Sequence, residues 1–296
     1  MTVAALTSET ERAISTRRGG RAPPGAYLAI AACVAVIAIM AAPMALSFLA
    51  SIKTAADASA VPPHYLPQAL SFENYAKVIH FQAGLATYVS NSGLVALMTI
   101  AACIVLAAPA GYGLARFAMR GKEVAFLGLL APIMIPYQAL LTPLYLDFAR
   151  VGLVNSHLGL AIVHTILQLP FSIFLMRNSF EAIPREIEEA AMVDGCSAWK
   201  RFTRVFLPLA VPAIVTVALF AFINSWNEFL AALIFMNRET SFTVPILLVS
   251  VRIGNHGAVD WGALQASVVI SIIPCLAVYL ALQRYYVSGL LSGAVK

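Results

Sequence analysis

The densest polar group inside apolar sequence is Asn224-Ser225-Trp226-Asn227-Glu228-Phe229. Asn224, Asn227 and Glu228 recur at i, i+3 and i+4, so on a helix they share one face. A carboxylate turned towards lipid is costly, so that face must meet a polar interior or a partner chain. Trp226, with Phe222 and Phe229, adds aromatic surface. Sugars bind where hydroxyls meet hydrogen-bonding side chains and a ring face meets an aromatic, so Asn224, Trp226, Asn227 and Glu228 suit a solute path. Adhesion between two chains fits the same residues equally well. Catalysis finds no support. The sequence has no HExxH, no GxSxG and no paired intramembrane carboxylates. His164 is the one histidine within an apolar span and reads as a hydrogen-bonded bundle residue. His64, His80 and His256 fall in external segments, and His157 at a span end. Cys33, Cys103, Cys196 and Cys275 form no CxxC pair, so no metal site or disulfide framework is expected. Gly121-Lys122 lacks the earlier Gly and the following Ser or Thr of a P-loop. Any ATP hydrolysis therefore belongs to another chain, and no cofactor is expected on this one.

A second feature is a charged elbow between apolar spans, Glu186 to Ala213. Pro184 suits a first helical position, and Glu186 and Glu188 sit near the positive end of the dipole. Ile183, Ile187, Ala190 and Ala191 fall on one face. Gly195 can end this helix in a left-handed conformation. Ser197 can cap a second helix, with Trp199, Phe202, Val205 and Phe206 on its apolar face and Lys200, Arg201 and Arg204 opposite.

The elements that must hold these residues are apolar helices. The chain has 296 residues, 60% hydrophobic and 11% charged, with a mean hydropathy of +0.84. Too little charge is available to cover a soluble core of this size. Candidate spans are 27–51, 92–115, 124–146, 158–176, 209–236 and 263–283, each close to the ~20 residues that cross a bilayer. The predicted fold class is therefore all-α: a polytopic six-helix transmembrane bundle carrying the elbow. Pro132, Pro136 and Pro143 should kink the third span. Gly111 and Gly113 should permit close helix contact. With six spans, fourteen of the Lys and Arg residues lie on the side of the termini and elbow, and five on the other. The positive-inside rule then puts both termini and the elbow in the cytoplasm. The net charge of +5 is spread along a membrane face, which gives no reason to expect a nucleic-acid partner. External segments follow at 52–87, with Pro62, Pro63 and Pro67, and at 237–262, with Arg238, Glu239, Arg252 and Asp260. Both are compatible with packing at an outer mouth or with plain solvated loops.

Glu189-Ala190-Ala191, Gly195, Val205 and Leu207-Pro208, at their spacing, resemble the EAA loop of ABC-importer permeases, with Val in place of the usual Ile. AGYGLAR at 110–116, SFENY at 71–75 and the ending GLLSGAVK at 289–296 resemble the sugar-importer permeases of the maltose-system type. Six helices make one bundle, so residues 26–296 are expected to form one six-span permease domain, and the polar residues 1–25, with their Arg, Ser, Gly and Pro, a disordered cytoplasmic tail. The resemblance covers most of the chain. It implies a coupling helix docked in a cytoplasmic ATPase, with Glu189 making a polar contact across the joint. Ala190 and Ala191 would permit close approach, Asp194 and Gly195 would shape the turn, and Leu207 and Pro208 would fix the junction to the fifth span. The implied partners are a second homologous permease, two nucleotide-binding ATPase subunits that carry ATP and Mg, and an extracytoplasmic substrate-binding protein. The implied location is the lipid bilayer of a bacterial cytoplasmic membrane, and the implied role is a non-enzymatic subunit moving a carbohydrate by alternating access. The rival reading is an ion- or proton-coupled secondary transporter with Glu228 as the coupling carboxylate. It predicts inverted repeats and paired broken helices, which the sequence does not display.

Overall fold

The computed structural model describes residues 24–253 and 259–294, with side chains for 25–252 and 259–283. Arg12, Arg17, Arg18, Arg21, His256 and Lys296 lie outside them, as do the side chains of Arg284 and the 289–296 string. Two compact units divide at residues 48 and 49. The described part of the first is residues 24–48 of α1 (Pro24–Ser51), a uniformly apolar helix with Leu28, Ile37 and Met40 exposed; its last turn, 49–51, belongs to the second. All-round apolarity of this kind suits a bilayer.

The second unit holds the rest. Its principal elements are α2 (Glu73–Ile79), α3 (Leu85–Arg116), α4 (Lys122–Leu130), α5 (Tyr137–Arg150), α6 (His157–Ala182) and α7 (Arg185–Val193). They continue with α8 (Ala198–Leu209), α9 (Val211–Asn227), α10 (Leu230–Phe235), α11 (Val244–Ile253) and α12 (Trp261–Ala294). Among the described residues, four helices are long and apolar enough to cross a membrane. Two further pairs qualify only if each bent pair counts as one span. The first pair bends by 98° between Met134 and Tyr137. Pro136 lies in that break, and Pro132 near the start of the short 3-10 turn before it, as the missing N–H groups require. The second pair, α8 and α9, bends by 73° at Ala210. The uninterrupted fifth span expected over 209–236 is therefore corrected. It is broken at Ala210 and again at Glu228, whose backbone is extended.

The core is built on α3 against α6. Gly111 makes the approach possible, because a β-carbon there would lie 2.7 Å from Met176 Cβ and 2.8 Å from the Arg177 nitrogen. Gly113 faces open space and has no such role. Around this contact, Tyr112 gathers the rings of Phe180, Phe202 and Phe206 at centroid distances of 5.1–5.7 Å.

The described parts of the 237–262 segment, 237–253 and 259–262, are not a plain loop. Asn91 on α3 donates to the carbonyls of Thr240 and Phe242, and Ser92 accepts from the Val244 N–H. α11 then buries Val244, Ile246, Leu247 and Val251. The 52–87 segment is also ordered. Asn74 is fully buried and donates to the carbonyls of Ser51 and Lys53. Lys77 reaches Asp260, which caps α12 through the Ala263 N–H.

Asp57 accepts from the Gln68 N–H at 3.0 Å and meets the His64 ring at 2.9 Å. The Gln68 bond first, and the His64 bond second, hold its carboxyl below the ordinary carboxylate range. A lowered folded-state value adds stability above the unfolded value and loses it as pH falls through the folded one. Protease cleavage within 57–68 is therefore expected to rise only below pH about 4. Asp57→Asn should raise it at neutral pH; equal cleavage of the variant and the parent at neutral pH would refute the stabilising role of Asp57.

Candidate functional site

Two sites emerge from the second unit, one at the elbow and one in the wall around Glu228. At the elbow, α7 begins at Arg185, with Pro184 one position earlier than expected, in an extended cap conformation. The helix stops because Gly195 turns left-handed at φ +75°. The Gly195 N–H returns to the Met192 carbonyl and the Cys196 N–H to that of Ala191, both at 3.0 Å. This pair of bonds satisfies the last carbonyls of α7. Ser197 then caps α8, accepting from the Lys200 N–H. Between Phe202 and Phe206 the helix widens into a π turn, the Leu207 N–H reaching the Phe202 carbonyl. Pro208 follows, on an exposed stretch with Leu209.

Glu188, not Glu189, is the inward-facing carboxylate. Its two oxygens lie 3.7 Å from Arg116 at the end of α3 and 3.7 Å from Arg201 on α8. Arg116 also donates to the carbonyls of Phe180 and Ile183 and lies over the Phe206 ring at 4.7 Å. Through Arg116 this carboxylate ties the elbow to the ends of α3 and α6, and through Arg201 it ties α7 to α8. Arg201, expected on the polar outer face, is turned inward. Glu189, Ala190, Asp194 and Gly195 are exposed, while Ala191 is buried. The face expected to be apolar is split: Phe202 and Phe206 go inward, whereas Trp199 is 69% exposed. With Val193 at 88% and with Met192 and Ile187, Trp199 gives the elbow an outward apolar rim.

The second site is a cavity of about 860 Å³ between the α4–α5 bend, α6 and α9. Asn224, Asn227 and Glu228 line it, but by a different route from the one expected. The helix ends at Asn227, and Glu228 instead caps α10, accepting from the Ala231 and Ala232 N–H groups at 2.9 and 3.0 Å. Trp226 does not line the cavity. It is 3% exposed, stacks on Phe222 and donates to the Ser271 carbonyl. One residue from Asn227 and two from Asn224, it points to another face of α9, so its role is packing against α12.

Sequence reasoning missed the facing wall on α6. His164 Nε2 lies 3.4 Å from a Glu228 oxygen but is not aligned as a hydrogen bond, while Nδ1 meets the Ser225 hydroxyl at 2.8 Å. Gln168 accepts from Asn224 at 2.6 Å. His164, Gln168 and Ser172 recur every four residues in a stretch, 158–176, that is apolar apart from them and Thr165. That one-faced stripe was the available signal.

Residues 107–291 match the family described as binding-protein-dependent transport system inner membrane component. The diacetylchitobiose uptake system permease protein DasC of Streptomyces coelicolor is 33% identical over 254 residues, 84% of this chain and 89% of that one. The trehalose/maltose transport system permease protein MalG of Thermococcus litoralis is 33% identical over 231 residues, 76% of this chain and 81% of that one. Among solved structures, a chain of a bacterial ABC transporter that imports the acidic polysaccharide alginate superposes with a TM-score of 0.77 at 24% identity. The match covers 90% of this chain and 99% of that one, and at that identity it speaks for the fold.

Proposed function

The chain belongs to the binding-protein-dependent transport system inner membrane components and is a permease subunit of an ABC importer; from that premise we propose that its cargo is a carbohydrate and that its elbow receives the stroke of a cytosolic ATPase. The carbohydrate reading is supported by the permeases of disaccharide uptake systems that this chain resembles and by the amide-lined, aromatic-flanked cavity.

The observation that carries the coupling role is the outward apolar rim of the elbow. Val193 and Trp199 stand exposed on two short helices locked together by Gly195 and Ser197. A rigid projection with apolar side chains at its tip suits docking into a cleft of another protein. Glu189, exposed beside the rim, supplies a polar contact across the joint, and Ala190 allows close approach. Asp194 and Gly195 hold the turn, and Leu207-Pro208 joins it to α9. Two nucleotide-binding subunits carry ATP and Mg and push this elbow and the elbow of a second, homologous permease. A binding protein delivers cargo at the opposite face. Both termini and the elbow face the cytoplasm of a bacterial inner membrane, in keeping with the excess of Lys and Arg on that side. Asn224, Asn227 and Glu228 lie along the path.

The ion-coupled reading has no comparison in its favour, and Glu228 is already engaged by two backbone donors. Val193→Asp with Trp199→Asp is expected to lower ATP-driven uptake by more than about tenfold and to strip the ATPase during purification, because a buried interface anchor is replaced by a charge. The membrane level of the permease should not change. Normal uptake with normal ATPase recovery would refute the docking role.

A further inference from the structure

The charge of the Glu228 cavity carries an inference about which cargo it admits. Only two of the residues lining it are ionisable in the physiological range, Glu228 and His164, and none is Lys or Arg. Both Glu228 oxygens accept backbone N–H groups, the arrangement of a carboxylate rather than an acid. Its nearest ring nitrogen is His164 Nε2 at 3.4 Å, and no Lys or Arg lies in the lining. One turn away along the same α6–α9 seam, Gln168 is only 6% exposed, and its side-chain nitrogen is buried without a hydrogen-bond partner. A buried donor left unmatched favours a ligand that brings an acceptor. Phe171 and Phe220, 5.1 Å apart, supply ring faces in the same wall. The volume, about 860 Å³, falls within the roughly 300–1,000 Å³ of small-molecule sites.

We propose that this wall is a charge filter in which Glu228 and the unpartnered Gln168 amide admit neutral, hydroxyl-rich solutes and reject acidic ones. A neutral hydroxyl can accept from Gln168 and donate towards Asn224 or Glu228. A uronate can satisfy Gln168 but must leave water beside a second carboxylate with no Lys or Arg to offset it. The chain would thus differ in cargo from the alginate importer whose fold it shares. For its cargo class this inference rests on the carbohydrate reading, but the charge of the wall can be tested separately.

Two measurements on the complete transporter in vesicles decide it. The first compares uptake of maltose, trehalose, cellobiose and diacetylchitobiose with that of cellobiouronate and digalacturonate. At least one neutral sugar is expected to enter at least about tenfold faster than either uronate, the scale of discrimination available from one unpaired charge. The second reads the cavity directly and does not depend on the binding protein. Asn227→Cys, made with Cys275→Ser, is labelled by cationic and by anionic methanethiosulfonates and read by mass spectrometry on the peptide carrying residue 227, apart from the free Cys33 and Cys196, each rate normalised to that of a free thiol. The cationic reagent should be favoured several-fold, and Glu228→Gln should abolish the preference. Because Glu228→Gln also weakens the α10 cap, Asn227→Lys serves as a second variant. It leaves the cap intact and should raise uronate entry relative to neutral sugar. Uronate entry at the neutral rate overturns the proposal. So does a labelling rate without charge preference, or a preference unmoved by Glu228→Gln. If no saccharide of either set enters, the carbohydrate reading fails, and labelling alone decides whether the wall filters charge.

Discussion

Glu188→Lys is expected to uncouple ATP hydrolysis from import. Arg116 and Arg201 flank this carboxylate at 3.7 Å, with side chains only 5% and 15% exposed. Removing the acid leaves two sheltered guanidinium groups facing each other, and a lysine adds a third positive charge. Breaking a sheltered pair by losing one partner costs on the order of 3 kcal/mol, more than an exposed pair is worth. The cost falls at the point where α3, α7 and α8 meet, so the elbow should swing on its connectors instead of moving with the bundle. The outward rim is untouched, so the ATPase should still co-purify and still hydrolyse ATP. Uptake should fall by about a hundredfold, the factor that corresponds to such an energy. Glu189→Lys, on the exposed side, should do the reverse: it should weaken ATPase recovery and leave the melting temperature of the permease unchanged. Full uptake by Glu188→Lys would show that the joint does not need its internal ion pairs.

Gly111→Leu is expected to prevent assembly of the bundle. The first atom of any side chain there would sit 2.7 Å from Met176 Cβ and under 3 Å from the α6 backbone. Backbone cannot rotate aside as a flexible side chain can, so α3 and α6 must separate. Overpacking usually costs about 1–3 kcal/mol, and a contact against backbone belongs at or beyond the upper end. In a membrane the loss is not offset by hydrophobic burial, since lipid solvates a separated helix almost as well as another helix does. The expected readout is a collapse in the amount of monodisperse protein recovered in detergent. Gly113→Leu, in open space, should be recovered like the parent. Equal recovery of the two variants would refute the close contact at Gly111.

The apolar spans, the elbow with its Gly195 stop and Ser197 cap, and the family could all be read in the order of residues. Each depends on local rules: the period of apolar positions, the absence of a β-carbon penalty at Gly195, and a serine placed to accept from the N–H three residues on. The proline-bearing third span likewise shows its break before any neighbour is known. What the order of residues did not reveal is where polar atoms find partners from other helices. Glu188 and Glu189 are adjacent carboxylates on one short helix, and local pattern ranks them alike. Only the approach of Arg116 and Arg201 turns one inward and leaves the other for a partner. Trp226 and Asn227 are adjacent too, yet one packs on the last helix and the other lines the cavity, because α9 presents different faces to different neighbours. The break at Glu228 has no proline or glycine to announce it. It exists because the carboxylate can cap α10 while facing His164, and His164 belongs to a helix about sixty residues earlier in the chain. Patterns repeated along one helix travel with the sequence, whereas partners contributed by another helix exist only once the chain has packed.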